Sequence, residues 1–357
     1  MAAARGGGGV SQDCFCGCAL AEAADGPAVH RAPMPTSGIG ILGCGAYLPD
    51  EEVGNDVVAA EVGVEESWIE RKTGILARRR AAPWQAASDL AVPAAEAALE
   101  RAGLTAADLS VIIIATSTPD SPQPATACVV QDKLGAVNAA AFDVNAVCSG
   151  FVFALETARR LVADGGHALV VGVDVYSRIL DHTDRRTAVL FGDGAGAVVV
   201  GPTRPGRGIV ASSLSSYGQH AGLIEVPGGG SRVPPTKESL AAGAHYFKMD
   251  GRAVREFVDR EVPVAVRGFL ADTGHADDAV AHFVPHQANG HMVAELERTL
   301  AFPTARTHVT FERYGNTGAA SVPITLAAAQ HEIAEGDLVL LTAFGGGMAM
   351  GMSLIRW

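Results

Sequence analysis

The sequence predicts an α/β protein made of two similar halves, and three observations carry that prediction. First, one layout occurs twice. A helical stretch, Ala94 to Ala102, stops at Gly103, passes an acidic turn at 104–109 and enters the short apolar strand Val111-Ile112-Ile113-Ile114-Ala115-Thr116; Val264 to Thr273, Gly274, the turn 275–280 and His282-Phe283-Val284-Pro285-His286 repeat it. Second, each unit is followed by a further helix–strand pair: Phe151 to Asp164 with His167–Val173, then Ala319 to Ile333 with Asp337–Phe344. Third, the strands are continuous apolar runs, as a sheet covered on both faces requires. Generic α/β units also share such a layout by chance. Duplication is preferred because chemically suggestive residues fall at matching junctions.

Taken in order, residues 1–36 are Gly- and Ala-rich, include Gly6 to Gly9, and show no periodicity. They read as a disordered extension, with Met34 as an alternative start. Cys14-Phe15-Cys16-Gly17-Cys18 offers metal-ligand spacing, but no second Cys/His pair follows at finger-like distance. The folded unit is expected to begin near Ile39, with one half over 37–207 and the second over 208–357. Between them, Phe191-Gly192-Asp193-Gly194-Ala195-Gly196 precedes a β-branched run and fits a tight turn entering a buried strand, followed by loop-rich sequence from Ser212 to Ala244. Because these glycines open a strand and not a helix, they are no dinucleotide fingerprint.

Composition narrows the function classes. With 357 residues, 48% of them hydrophobic, the chain can bury a large core. A formal charge of -12 argues against a nonspecific nucleic-acid surface, and docking of an acidic partner would need a local basic patch. No stretch has signal-peptide or transmembrane character, and the scattered cysteines 44, 128 and 148 suit a reducing compartment, so a cytoplasmic protein is expected.

Three residues carry the chemistry. Cys148, in Asp143-Val144-Asn145-Ala146-Val147-Cys148-Ser149-Gly150-Phe151, sits where a strand gives way to the first turn of an apolar helix, a position that favours a thiolate. His286 ends a strand of the second half, and Asn316 lies in the Gly-flanked loop opening the last long helix. Singly, each has an ordinary reading: a buried cysteine is a small hydrophobe, a histidine a structural hydrogen-bonding group, an Asn between glycines a turn former. Together at three strand ends, where α/β sheets gather ligands, they suggest a sulfur nucleophile with two donors for a developing enolate or oxyanion.

The stretches Trp68–Ile75, Asp143–Phe151, Asp184–Thr187, Phe191–Gly196, His286–Asn289, Gly315–Thr317 and Phe344–Gly347, in that order over residues 38–357, resemble the β-ketoacyl-acyl-carrier-protein synthase III family. The resemblance implies a duplicated thiolase fold of five layers, αβαβα. It also implies that Cys148 takes an acyl group from a primer thioester, while His286 and Asn316 hold the carbonyl of a malonyl thioester as it loses CO2. Backbone N–H groups of Cys148 and Gly346 would hold the oxyanion, and neutral His286 would act as a donor, so that its tautomer matters more than its charge. Acyl-CoA or acyl-carrier-protein thioesters are then substrates, and no cofactor is permanently bound.

The same resemblance assigns Trp68, Lys72 and Arg185 to CoA, Trp68 and Arg185 sandwiching the adenine, with Gly251, Arg252 and Asn289 also along the channel. Lys72 replaces an arginine of many members and loses its planar fork. His291 and Glu256 stand where basic residues are frequent, which weakens docking of an acidic carrier, although Arg252 and Arg255 lie nearby to compensate. Gln123 replaces a Phe at the tip of a loop that enters the partner's acyl pocket, which points to a homodimer and to a polar or branched primer. The alternative enzymatic reading is an acyltransferase passing an acyl or malonyl group from Cys148 to a hydroxyl or amine. A silent scaffold is the non-enzymatic one, although such scaffolds usually lose the nucleophile.

Overall fold

The computed structural model describes residues 38–357, so the expected disordered extension, its cysteine cluster and Met34 lie outside the described residues. Two five-stranded sheets form the frame. The first contains β1 (Ile39–Tyr47), β2 (Leu109–Ala115), β3 (Ala140–Val144), β4 (His167–Asp174) and β5 (Gly194–Pro202), in the spatial order β3-β2-β4-β5-β1. The second contains β6 (Gly208–Ser216), β7 (His282–Pro285), β8 (Arg306–Thr307), β9 (Leu338–Gly345) and β10 (Ala349–Arg356), in the order β8-β7-β9-β10-β6. Counted from its own first strand, each sheet has the same order. Each also has the same directions: three parallel strands, then two antiparallel neighbours.

The helices complete five layers. On the outer face of the first sheet lie α1 (Ala87–Ala102) and α2 (Thr126–Leu134), whose Leu90, Ala94, Ala98 and Val130 pack on Ile112, Ile114, Leu169 and Val171. Between the sheets lie α3 (Gly150–Leu161) and α6 (Ser321–Ala329); Phe151, Leu155, Val322 and Leu326 there meet Val111, Ile113, Val339 and Leu341 from both sheets. Over the second sheet lie α4 (Gly251–Thr273) and α5 (Gly290–Leu300), with Phe257, Val262, Phe269 and Leu296 on Phe283, Leu340 and Leu354. Alternate residues of β2 therefore feed opposite faces, both apolar, which explains its unbroken Val-Ile run.

Several local expectations are corrected. The helix after Cys148 stops at Leu161, and the last long helix spans only Ser321–Ala329 after one 3-10 turn at Gly318–Ala320. Sequence from Ser212 to Ser216, expected as loop, completes β6. Of the glycines expected in a tight turn before the strand, Gly194 and Gly196 lie inside β5 itself. They make room: a Cβ on Gly196 would lie 2.5 Å from the backbone N of Ile324 and one on Gly172 2.3 Å from the Ala319 carbonyl oxygen, so α6 crosses the first sheet at backbone distance.

Candidate active site

Cys148 lies in a single 3-10 turn, Val147–Ser149, between the end of β3 and the start of α3. The turn is tight because Val147 adopts φ 47°, a left-handed conformation that a β-branched residue takes only at a cost. Ser149 donates from Oγ to the Ala349 carbonyl at 2.7 Å and so ties the turn to the second half. Across the sulfur lies Gly345: a Cβ there would stand 2.8 Å from the Cys148 backbone N and Cβ, so no larger residue fits. Cys148 is only 6% exposed.

His286 follows β7, its backbone N–H donating to Thr342 at 2.7 Å. Its Nδ1 lies 2.6 Å from Ser321 Oγ, and its ring meets the Phe344 ring edge-on at 5.2 Å. Asn316 is held by backbone bonds to the other half, its N–H donating to Leu190 at 2.8 Å and its carbonyl accepting from Gly192 at 3.0 Å. Its Oδ1 accepts from the Gly318 N–H at 2.9 Å. That assignment leaves the Asn316 amide N–H groups as the free donors of the side chain.

These three side chains line one chamber of about 50 Å³, together with Phe191, Phe344 and Gly345. Leu190, Phe247 and Met249 border both this chamber and an outer cleft of about 1130 Å³, forming a neck between them. Trp68, Lys72, Arg185, Gly251 and Arg252 all line the outer cleft. The Arg185 guanidinium already sits 6.0 Å from the centre of the Trp68 ring. Asn289 lines the chamber instead, and its Oδ1 caps α5 by accepting from the Met292 N–H at 3.1 Å. Gly345 lines the chamber, and the next residue, Gly346, lies against Val147 and Ile224. Gln123 is exposed and borders neither cavity of its own chain.

Electrostatics correct the expectation of a thiolate. Burial, reinforced by the nearby Asp174 carboxylate, pushes the Cys148 thiol up to about 12, against a smaller lowering by the Tyr176 hydroxyl. Burial also pushes His286 down to about 3. Thiol and imidazole are therefore both neutral in the closed chamber, and loss of hydration outweighs the helix end. The basic residues expected to attract a carrier are also spent locally: Arg252 pairs with Glu256 at 2.9 Å and Arg255 with Asp259 at 3.5 Å. His291 Nε2 lies 2.8 Å from the Arg71 carbonyl oxygen.

Sequence reasoning missed three residues that build the site. Asp174, at the end of β4, is fully buried and accepts from the Ser117 N–H (2.8 Å), Ser117 Oγ (2.9 Å), Thr118 Oγ1 (3.0 Å) and the Ala319 N–H (2.8 Å). Tyr176 stacks on Phe191 at 4.4 Å and meets Phe247 edge-on at 5.5 Å, and so backs two residues that line the chamber. Ser321 is the partner of His286. An acid closing an apolar strand was a readable signal for the first; nothing local marks the other two.

Residues 142–218 match the model of 3-oxoacyl-[acyl-carrier-protein (ACP)] synthase III and residues 270–357 that of its C terminal part. The chain is 55% identical to acetoacetyl CoA synthase NphT7 of Streptomyces sp. strain CL190, over 89% of this chain and 98% of that one. It is 42% identical to the β-ketoacyl-[acyl-carrier-protein] synthase III of Roseiflexus sp. strain RS-1, with the same coverage. The structure superposes with TM-score 0.82 on the 3-oxoacyl-[acyl-carrier-protein] synthase III of Aquifex aeolicus VF5 (35% identity, 90% of this chain and 100% of that one). It also superposes with TM-score 0.82 on the priming β-ketosynthase of the R1128 polyketide pathway (32% identity, 91% and 98%). The chain belongs to the 3-oxoacyl-[acyl-carrier-protein] synthase III family, acyltransferases of the thiolase fold.

Proposed function

We propose that the protein joins a short acyl thioester to a malonyl thioester by decarboxylative condensation, with Cys148, His286 and Asn316 as its catalytic residues. The observation that carries this reading is the convergence of one thiol and two neutral donors on a single chamber at the end of one channel. Cys148 takes the primer acyl group and releases the primer's thiol. His286 and Asn316 then donate hydrogen bonds to the malonyl thioester carbonyl, so that the electron pair left by departing CO2 is held as an enolate. The enolate carbon attacks the acyl-cysteine, backbone N–H groups of Cys148 and Gly346 hold the tetrahedral oxyanion, and expulsion of the cysteine sulfur leaves a 3-oxoacyl thioester. The division into halves at residues 207 and 208 belongs to the same reading: the first half brings the nucleophile, the second the donors.

The rings of Phe191, Phe247 and Phe344 that line the chamber support a short apolar primer over the polar or branched one expected from Gln123. Arginines on α4 that each face an acid one turn on support a CoA-linked malonyl donor, as does the likeness to the acetoacetyl CoA synthase of Streptomyces. Trp68, Lys72 and Arg185 would take the nucleotide end of CoA in the cleft. A homodimer is supported by β3, an edge strand of part-exposed residues with one side unpaired. No described helix is long and apolar enough to cross a membrane. The likeness to a polyketide priming enzyme supports a place in secondary metabolism.

Incubating the protein with acetyl-CoA and malonyl-CoA tests the reading. Expected are CO2, acetoacetyl-CoA, and a transient acetyl adduct on the protein that Cys148→Ala abolishes. Transfer of an intact acyl or malonyl group to a hydroxyl or amine acceptor, without CO2, would overturn it.

A further inference from the structure

His286 can serve as a donor to a carbonyl only if the nitrogen facing the chamber carries a proton. A neutral imidazole has one N–H, on either Nδ1 or Nε2, and the choice follows from its partners. Nδ1 lies 2.6 Å from Ser321 Oγ, which leaves Nε2 for the chamber. Ser321 is fully buried on the first turn of α6, so its hydroxyl proton has to find an acceptor.

The surroundings decide where that proton goes. Besides His286, the hydrogen-bond partner of Ser321 Oγ among the described residues is the backbone N–H of Gln287 at 3.4 Å, a donor. Gln287 is itself fixed, its side-chain amide donating to the Pro285 carbonyl at 2.7 Å and its Oε1 accepting from the Thr310 N–H at 2.8 Å. His286 Nδ1 is therefore the acceptor within reach of the Ser321 hydroxyl. If Nδ1 carried the proton instead, the Ser321 O–H would be left unpaired in a dry site and a lone pair would face the incoming carbonyl.

We infer that Ser321 is a positioning residue for the condensation: its hydroxyl donates to His286 Nδ1, holds the imidazole as the Nε2–H tautomer, and so makes His286 a hydrogen-bond donor to the malonyl thioester. This deepens the condensing reading and rests on it for the identity of the carbonyl. The depressed proton affinity of His286 agrees, because a ring that stays neutral needs its tautomer chosen for it. Acylation of Cys148 does not require this choice, so Ser321 acts on one half-reaction.

The experiment combines tautomer and half-reaction. Nitrogen-15 correlation spectra of histidine-labelled full-length protein are expected to show His286 as Nε2–H. Ser321→Ala is expected to admit the Nδ1–H form and to slow CO2 release from malonyl-CoA by about 10- to 100-fold. Ser321→Cys, a weaker donor of the same shape, is expected to fall between, and acetylation of Cys148 by acetyl-CoA is expected to stay constant in all three. An Nδ1–H ring in the wild type overturns the inference whether or not the variants fold. So does an equal change, or no change, in the two half-reactions of Ser321→Ala. If wild-type protein shows the Nε2–H ring but releases no CO2 from malonyl-CoA, the condensing reading fails and the Ser321 assignment is judged by the spectra alone.

Discussion

The carboxylate of Asp174 accepts a hydrogen bond from the backbone N–H of Ala319 at 2.8 Å, across the boundary between the two halves. Its other oxygen collects donors from Ser117 and Thr118 of the first half. Asp174→Ala would strand several buried donors at once, each costing about 1–3 kcal/mol. A urea unfolding midpoint well below wild type is expected. Because Ala319 lies in the 3-10 turn that leaves the Asn316 loop, CO2 release should fall more than Cys148 acylation, which rapid-quench assays of the two half-reactions would measure.

On the proposed mechanism, Asn316→Ala removes one of two donors to the enolate while leaving the thiol and its turn in place. Acetylation of Cys148 should stay near the wild-type rate. Decarboxylation should slow by about 100-fold, or about 3 kcal/mol of transition-state stabilisation. Single-turnover measurements with acetylated enzyme and malonyl-CoA would separate the steps.

The buried imidazoles make stability sensitive to acid. His286 is held down to about 3 and His308 to about 4, both chiefly by burial, against an ordinary value of 6.5. Between those values the unfolded chain binds protons that the folded one refuses. Their contribution is therefore present above pH 6.5 and is lost as pH falls toward 4 and then 3. Urea midpoints should drop through that window. Replacing His308 with Phe should flatten the upper part of the decline.

Raised thiols have the opposite sign. Cys148 and Cys44 are both pushed up to about 12, mainly by burial, so their contribution is present below the unfolded value near 9 and is lost as pH rises toward 12. Iodoacetamide should alkylate Cys148 slowly at pH 7, with a rate still climbing at pH 10. A plateau near pH 8 would contradict a buried neutral thiol.

Tyr176 backs the Phe191 and Phe247 walls of the chamber, and in the proposed reaction this packing would limit the acyl chain. Its ring stacks on Phe191 at 4.4 Å and meets Phe247 edge-on at 5.5 Å. Tyr176→Leu should admit butyryl-CoA as primer, seen as a four-carbon adduct on Cys148, and should lower stability through the cavity it leaves.

Much of this was legible in the chain. Repeated helix, Gly stop and apolar strand gave the duplication, and the strand ends pointed to Cys148, His286 and Asn316, which the fold brings to one chamber, because local periodicity and turn chemistry govern both. Residues whose meaning depends on long-range approach were not legible. Ser321 becomes significant only when α6 folds back on β7, and Gly345 only when β9 reaches Cys148. Tyr176 was missed for the same reason, since its partners Phe191 and Phe247 stand 15 and 71 positions away. The helix-end thiolate failed because sequence shows the helix but not the depth at which the sulfur lies.

The shared neck at Leu190, Phe247 and Met249 dictates the order of events. In the proposed condensation both thioesters use this one route, and passage of one arm at a time requires free CoA to depart before the second thioester enters. Initial-rate plots at several fixed concentrations of the second substrate should give parallel lines, and CoA should compete with malonyl-CoA for the loaded enzyme.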